Sequence, residues 1–251
     1  MTRAYSPSRT PTARLMRFMH QAWPAKLAML QFKRGIVSFT FDDAPQSATM
    51  KGAELLEAAN ARGTFYLSGG FTNQSTHLGA MHRGEDIERL RRTGHEIGCH
   101  SFSHGDGART KTHDTIADIE RNTKALAACG VDAPCSYAYP YGESQILLKR
   151  KLATRFQTAR GIRSGLNSGL TDLMQLRAQR LYGEDTSAQV SALLHRASRT
   201  KCWAIIFTHD VEEHPTPFGC TPIQLAHAIA QAQALGLEIL PVREALQSAE
   251  R

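Results

Sequence analysis

Gly35-Ile-Val-Ser-Phe-Thr-Phe-Asp-Asp43 is a run of β-forming residues that ends in two adjacent carboxylates, and a helical pattern over 47–61 follows it. The same order, strand then helix, repeats down the chain. Strands are expected at 64–67, 96–99, 136–139, 157–161, 179–182, 203–207 and 237–240. Between them, helices are expected at 84–92, 114–129, 144–153, 188–197 and 222–234. The last of these opens with Thr221 as cap and Pro222 in its first turn. Seven or eight such units in one domain define an α/β protein, with either a parallel barrel or a doubly wound sheet. In both architectures the active-site face lies at the carboxyl ends of the strands. The chemistry-bearing residues are therefore sought there.

The chain has 251 residues, enough for one large domain with its own core. Hydrophobic residues make up 41 % and charged residues 21 %, which excludes wholesale disorder. No apolar run reaches the ~20 residues of a membrane-spanning helix. The net charge of +7 is localised. Seven of the 30 Lys and Arg residues fall in residues 1–35, where there is no Asp or Glu, so residues 36–251 carry 23 basic against 23 acidic side chains. A basic N-terminal arm, 1–35, thus precedes a neutral body, 36–251. That distribution, with no recognisable nucleic-acid-binding motif, argues against nucleic acid as a partner. Within the arm, Leu15, Phe18, Met19, Ala22 and Trp23 recur at helical spacing, and Leu27 and Leu30 partly continue the stripe past Pro24. This pattern fits a helix packed against one end of the body, and equally one lying on an anionic membrane surface. The five cysteines form no C-x-x-C pair and are read as free thiols. With no secretory signal recognisable in the arm, a cytoplasmic protein is expected, at the cytoplasmic membrane face if the arm touches lipid.

Three strand ends carry unusual residues: Asp42-Asp43, His100-Ser-Phe-Ser-His104, and Thr208-His209-Asp210. Two imidazoles and a carboxylate suit zinc and neighbouring divalent metals, and leave open positions for water and substrate. Adjacent side chains on a strand point to opposite sides. At the turn after the strand, one Asp can bind metal while the other stays free as a base, their pKa values driven apart by different partners. His209 is placed to protonate a leaving group. Asp210 reads as a loop carboxylate, His214 as a minor alternative ligand, and His95 as structural. His20, His77, His82, His113, His195 and His227 read as surface or helix-face residues.

Thr40-Phe-Asp-Asp43, His100-Ser-Phe-Ser-His104, Ala138-Tyr-Pro-Tyr-Gly142 and Phe207-Thr-His-Asp210 resemble, in order, the motifs of the polysaccharide deacetylases, the NodB-homology carbohydrate esterases. The resemblance implies a distorted (β/α) barrel, so that with the seven or eight units and the arm read above the expected fold is a single-domain barrel with an N-terminal helical arm. It implies Asp42 as general base, Asp43, His100 and His104 as ligands of one divalent metal, most simply Zn, and His209 as acid. Pro140 and Tyr141 would line the groove, with the Tyr141 backbone N–H at the oxyanion. The family's third motif often begins with an Arg that orients the catalytic Asp, where this chain has Ala138. Arg180 is the expected substitute. The family's Asp and Trp pair behind the catalytic His has no clean match, and Glu184 or Asp185 is the expected stand-in.

The expected activity is metal-dependent removal of an N-acetyl group from an amino sugar in a glycan or glycan precursor. Rival readings are a sugar O-deacetylase or deformylase, and a catalytically silent carbohydrate-binding barrel. The expected substrate is an acetylated sugar, lipid-linked if residues 1–35 contact a membrane.

Overall fold

A computed structural model describes residues 10–183 and 186–250. Seven strands form the parallel wall of a nine-stranded sheet, to which Leu166–Asn167 adds antiparallel against Trp203–Ala204 and Glu238–Ile239 adds at the foot. The seven are β1 (Ile36–Asp42), β2 (Thr64–Leu67), β3 (Glu96–Cys99), β4 (Ser136–Ala138), β5 (Thr158–Arg160), β6 (Gln179–Arg180) and β7 (Trp203–Thr208). Their spatial order is β6-β7-β1-β2-β3-β4-β5, parallel throughout. The two edges meet through Leu176, which forms a parallel bridge to Arg160 just before β6. Its amide bonds to the carbonyl of Ala159 at 2.9 Å, and its carbonyl accepts from Gly161 at 3.0 Å. The sheet thereby closes into a distorted barrel of seven staves. The strand expected at 237–240 is Glu238–Ile239. It pairs with Ile36–Val37, while β2 pairs with Thr40–Asp42 further along β1. It fills the foot of the β1–β2 gap and is not an eighth stave.

Side chains alternate across the barrel wall. On the outer face, Val37, Phe39, Phe41, Phe65, Ile97 and Ile206 join one core with Leu56, Ile87, Leu194 and Leu225 of the surrounding helices. Each fully buried side chain of this size contributes roughly 1.5–3 kcal/mol. The register sets Ser38, Thr40 and Asp42 on the opposite, inner face, level with Ile205, Phe207 and, across β2, Tyr66. Gly98 stands level with Tyr66 on β3, and a Cβ there would meet the Tyr66 ring at 2.4 Å. Glycine at 98 therefore admits the tyrosine to the interior. At the foot, the buried Glu96 carboxylate accepts from Thr64, Ser136 and the Arg243 amide, which satisfies its charge.

Two local expectations differ from the structure. The stretch 47–61 begins as a π-helical turn, Ala48–Gly52, before the α-helix Ala53–Ala58. The stripe in the arm does not run on as a helix. Pro24 follows the end of helix Pro11–Ala22, and Leu27–Leu30 is a β-strand paired antiparallel with Gly169–Asp172. Leu30 and Phe32 are buried in the body, so the chain is tied to the barrel on both sides of residue 35. All five cysteines are free thiols. Among the described residues, no helix is long and apolar enough to cross a membrane.

Candidate active site

Asp42 is the last residue of β1, and the chain then enters left-handed backbone at Asp43 (φ 57°) and Ala44 (φ 45°). Ser101, His104 and Tyr141 are also left-handed. These are costly conformations for residues with a Cβ, of order 1–3 kcal/mol each, and they gather at one end of the barrel. The turn explains how neighbours on a strand diverge in partners. Asp42 points inward to Arg160, and Asp43 swings toward the histidines.

Asp43 Oδ1 lies 3.5 Å from His104 Nε2 and 3.9 Å from His100 Nε2. One ligand atom from each of the three residues lies within 4.8 Å of the others. Asp43 Oδ1 is buried and has no hydrogen-bond partner. His100 Nδ1 donates to the Ala138 carbonyl at 2.8 Å, which leaves its Nε2 lone pair facing Asp43. Burial, and for His100 the nearby His104, push the imidazoles down to about 4 at His100 and about 3 at His104. Both are neutral donors at pH 7. An orphaned carboxylate oxygen facing two neutral imidazole nitrogens fits one divalent cation. His214, the minor alternative, is exposed and outside this cluster.

The loop carrying the ligands is moulded from behind. Asp118, on helix Thr112–Ala127, accepts from the amides of Phe102 and Ser103. One turn on, Asn122 accepts from Gly69 N–H and donates to the Leu67 carbonyl. His82, expected at the surface, is fully buried. Its Nδ1 lies 3.1 Å from the carbonyls of both Asp43 and Ala44, to which it donates, clamping the strained turn. A lone loop histidine gave no sequence signal for that role.

The guanidinium expected from Arg180 comes from elsewhere. Arg180 is exposed at the rim, over the Tyr182 ring. Arg160 is buried, and its Nη2 donates to Asp42 Oδ1. It stands over the rings of Tyr66 (5.2 Å) and Phe207 (4.8 Å). In the sheet, Arg160 is the register partner of Ala138. The cation missing from 138 is supplied at the same level by the next strand, and the small Ala138 leaves room for it. Burial alone would raise the Asp42 pKa. The charge of Arg160, aided by His100 and His209, outweighs it and holds Asp42 below the ordinary carboxylate value. At Asp43, burial wins over the histidines and the pKa is raised. The two neighbours are thus driven apart.

His209 follows β7, half-buried, with its ring against Tyr182 and Phe218 at 5.6 and 5.7 Å. Nδ1 donates to the Phe218 carbonyl at 3.0 Å, so Nε2 is the nitrogen available for proton exchange. A backbone carbonyl therefore orients His209, and Glu184 and Asp185, the expected supports, lie outside the described residues. Asp210 is a loop carboxylate, as expected. It is buried, accepts from the amide and hydroxyl of Thr216, and pins the loop that presents Phe218. Pro140 is buried below Tyr141, whose half-exposed ring meets His104 edge-on at 4.5 Å.

Fold and site together define a parallel α/β barrel with an Asp-His-His cluster, a buried Arg–Asp pair and a carbonyl-anchored histidine at its strand-end mouth. Residues 30–156 match the sequence profile of the polysaccharide deacetylases, and the chain belongs to that family. It is 28 % identical to a chitin deacetylase of Colletotrichum lindemuthianum over 107 residues, 43 % of this chain and 42 % of that protein. It is 27 % identical over 107 residues to the peptidoglycan-N-acetylglucosamine deacetylase PgdA of Listeria monocytogenes, 42 % of this chain and 21 % of that protein. The chain thus matches less than half the length of these relatives. The structure of the Colletotrichum enzyme superposes with a TM-score of 0.63 at 18 % identity, covering 86 % of this chain and 90 % of that one. A family 4 carbohydrate esterase from Streptomyces lividans gives 0.59 at 17 %, covering 88 % and 98 %. These superpositions establish the distorted barrel.

Proposed function

We propose that this chain is a metal-dependent hydrolase that removes the N-acetyl group from an amino sugar in a glycan or glycan precursor. The observation that carries the reading is the convergence of three groups on one mouth: the Asp43–His100–His104 donor set, Asp42 held ionised by Arg160, and His209 with Nε2 free of its carbonyl anchor. Two imidazoles and one carboxylate favour Zn. A divalent ion bound there polarises the acyl carbonyl and lowers the pKa of water.

The residues divide the remaining work. Asp42 takes a proton from the attacking water as its oxygen bonds to the acyl carbon. The Tyr141 backbone N–H, by family resemblance, faces the oxyanion. As the C–N bond breaks, His209 gives the proton on Nε2 to the sugar nitrogen, leaving acetate and a free amine. Its Nδ1–H stays on the Phe218 carbonyl, so the ring keeps its orientation through the step. Pro140, Tyr141 and Phe218 wall the groove.

The reading extends to location. A basic arm without acids supports contact of residues 1–35 with an anionic leaflet, and a lipid-linked sugar intermediate met at the cytoplasmic face is the substrate we favour. The test is mass spectrometry of acetylated amino-sugar oligomers and lipid-linked sugar precursors after incubation with metal-loaded protein. Loss of one acetyl group per reacting sugar is expected, abolished by chelation and by Asp42→Asn. Unchanged substrates across that panel would overturn the reading.

A further inference from the structure

Helix Pro11–Ala22 is docked by its polar side. Arg17 pairs with Glu143 at 2.6 Å, and His20 Nδ1 donates to the Ser144 carbonyl at 3.1 Å. Lys149, fully buried, donates to the carbonyls of His20, Gln21 and Trp23 and pairs with Asp172 at 2.8 Å. The apolar stripe is left facing water. Leu15, Phe18, Met19 and Trp23 are all exposed, Trp23 by 55 %. That inverts the usual placement of an amphipathic helix on a globular body.

The ribbon that follows has the same character. Leu27 and Met29 alternate onto one face, and Leu170 stands opposite Met29 on the partner strand. All three are exposed, Leu170 by 67 %. Toward the mouth, Arg163 lies over the Phe18 ring at 5.7 Å, and its neighbour Ile162 covers Gly142, where a Cβ would meet it at 2.4 Å. Tyr141 is the next residue, exposed by 38 % and touching His104. Exposed apolar side chains therefore link the catalytic mouth to the helix, and the chain carries more of them onto the ribbon directly after it. Exposed apolar patches mark interaction surfaces.

Charge selects the occupant. Of the cations in residues 10–35, Arg17, Lys33 and Arg34 pair with Glu143, Glu250 and Glu238, while Arg14 and Lys26 add positive charge beside the helix and ribbon together with Arg163. The carboxylates beside the helix, Glu143 and Asp172, are neutralised by Arg17 and Lys149. An apolar face with Arg14, Lys26 and Arg163 beside it, and with its neighbouring carboxylates neutralised, matches a bilayer with anionic headgroups. We infer that helix Pro11–Ala22 and the ribbon of Leu27–Leu30 with Gly169–Asp172 form one rigid docking face for an anionic bilayer, and that docking brings the Tyr141–His104 mouth to the lipid. This deepens the lipid-linked reading above and rests on it for the substrate. The contact itself needs no turnover.

Trp23 is a built-in reporter, because the chain has two tryptophans and Trp203 is fully buried. The full chain is mixed with phosphatidylcholine vesicles, with and without phosphatidylglycerol. Binding to the phosphatidylglycerol vesicles, a blue shift of Trp emission and weakening by salt are expected. Phe18→Glu on the helix and Leu170→Glu on the ribbon should each lower partitioning at least about fivefold, since each removes an inserted apolar side chain. Unchanged circular dichroism and melting temperature confirm that both variants stay folded. Absence of binding to phosphatidylglycerol vesicles would overturn the inference. Loss with Phe18→Glu but not Leu170→Glu would confine contact to the helix and overturn the shared face. Concentration-dependent self-association without an emission shift on vesicles would assign the face to a second copy and overturn it too. No deacetylation is read, so failure here is distinguishable from failure of the enzymatic reading.

Discussion

The guanidinium of Arg160 grips the Asp42 carboxylate from inside the barrel, one strand over from Ala138, its register partner. Both side chains are buried, so each is the other's main compensation for lost water. Arg160→Gln should therefore act twice. It leaves burial of Asp42 opposed by the histidines alone, so the Asp42 pKa rises and the acidic limb of kcat/KM moves to higher pH. It should also cost about 3–5 kcal/mol of stability at neutral pH. The sign follows from the depressed native pKa: the pair's contribution is present above the unfolded value and fades as pH falls through the native one. Adding Ala138→Arg to Arg160→Gln should move the limb back. A limb that stays put in Arg160→Gln would remove Arg160 from the base's environment.

His100→Ala should abolish most metal binding, because two remaining side chains seldom hold zinc well. Asp42→Asn should leave metal content near that of the parent, since Asp42 is engaged by Arg160 and lies outside the ligand cluster. Elemental analysis after dialysis checks both. Metal lost from Asp42→Asn in the same measure as from His100→Ala would make Asp42 a ligand.

His82 touches none of the ligand atoms, yet it clamps the carbonyls of Asp43 and Ala44. His82→Phe fills similar space without the donor. Metal affinity should fall by roughly 10–100-fold, the range for partners that orient a ligand. Competition with a chromophoric chelator reads it. An unchanged affinity would show that the left-handed turn at Asp43 holds itself.

His209→Ala and Asp42→Asn should each lower turnover by roughly 10²–10⁴-fold, the range for loss of a general acid or base. Metal content should stay near normal in both. Full activity in His209→Ala would move the proton donor elsewhere, and metal loss there would place His209 among the ligands.

Much of this was legible in the sequence because strand ends announce themselves. The run into Asp42-Asp43, the pair His100 and His104, and the apolar strand before His209 locate the mouth without coordinates. Arg160 was not legible. Its place beside Asp42 is fixed by the parallel register of β4 and β5, and nothing in the spacing of 138 and 160 encodes that register. Arg180 carries an equally plausible sequence context but ends a two-residue strand at the rim, where its side chain reaches water. His82 was hidden for a related reason, since its partners are backbone carbonyls nearly forty residues away. The ribbon strand 27–30 is hidden in the sequence because Leu27 and Leu30 fit a helical stripe as well as a strand, and only the partner at Gly169–Asp172 decides between them.

The arm supplies the last test, because deletion separates what is attached from what is built in. Were residues 2–34 a tether alone, their removal would leave a folded barrel. The structure predicts otherwise. Leu30 and Phe32 are buried in the body, and each withdraws roughly 1.5–3 kcal/mol of burial when deleted. The cut also removes the pairing partner of Gly169–Asp172, and it strips Lys149 of the three carbonyls that hold its buried ammonium. An unpaired edge strand and an under-solvated cation are then left behind. Against a total stability of about 5–15 kcal/mol, these losses suffice to unfold the protein. Deletion of 2–34 should give aggregation or a melting temperature lowered by well over 10 °C, on the scale of about 2–4 °C per kcal/mol for a chain of this size. Phe18→Glu in the full chain should melt like the parent, since Phe18 faces water. A truncated protein that melts with the parent would mean that the arm contributes nothing to the core.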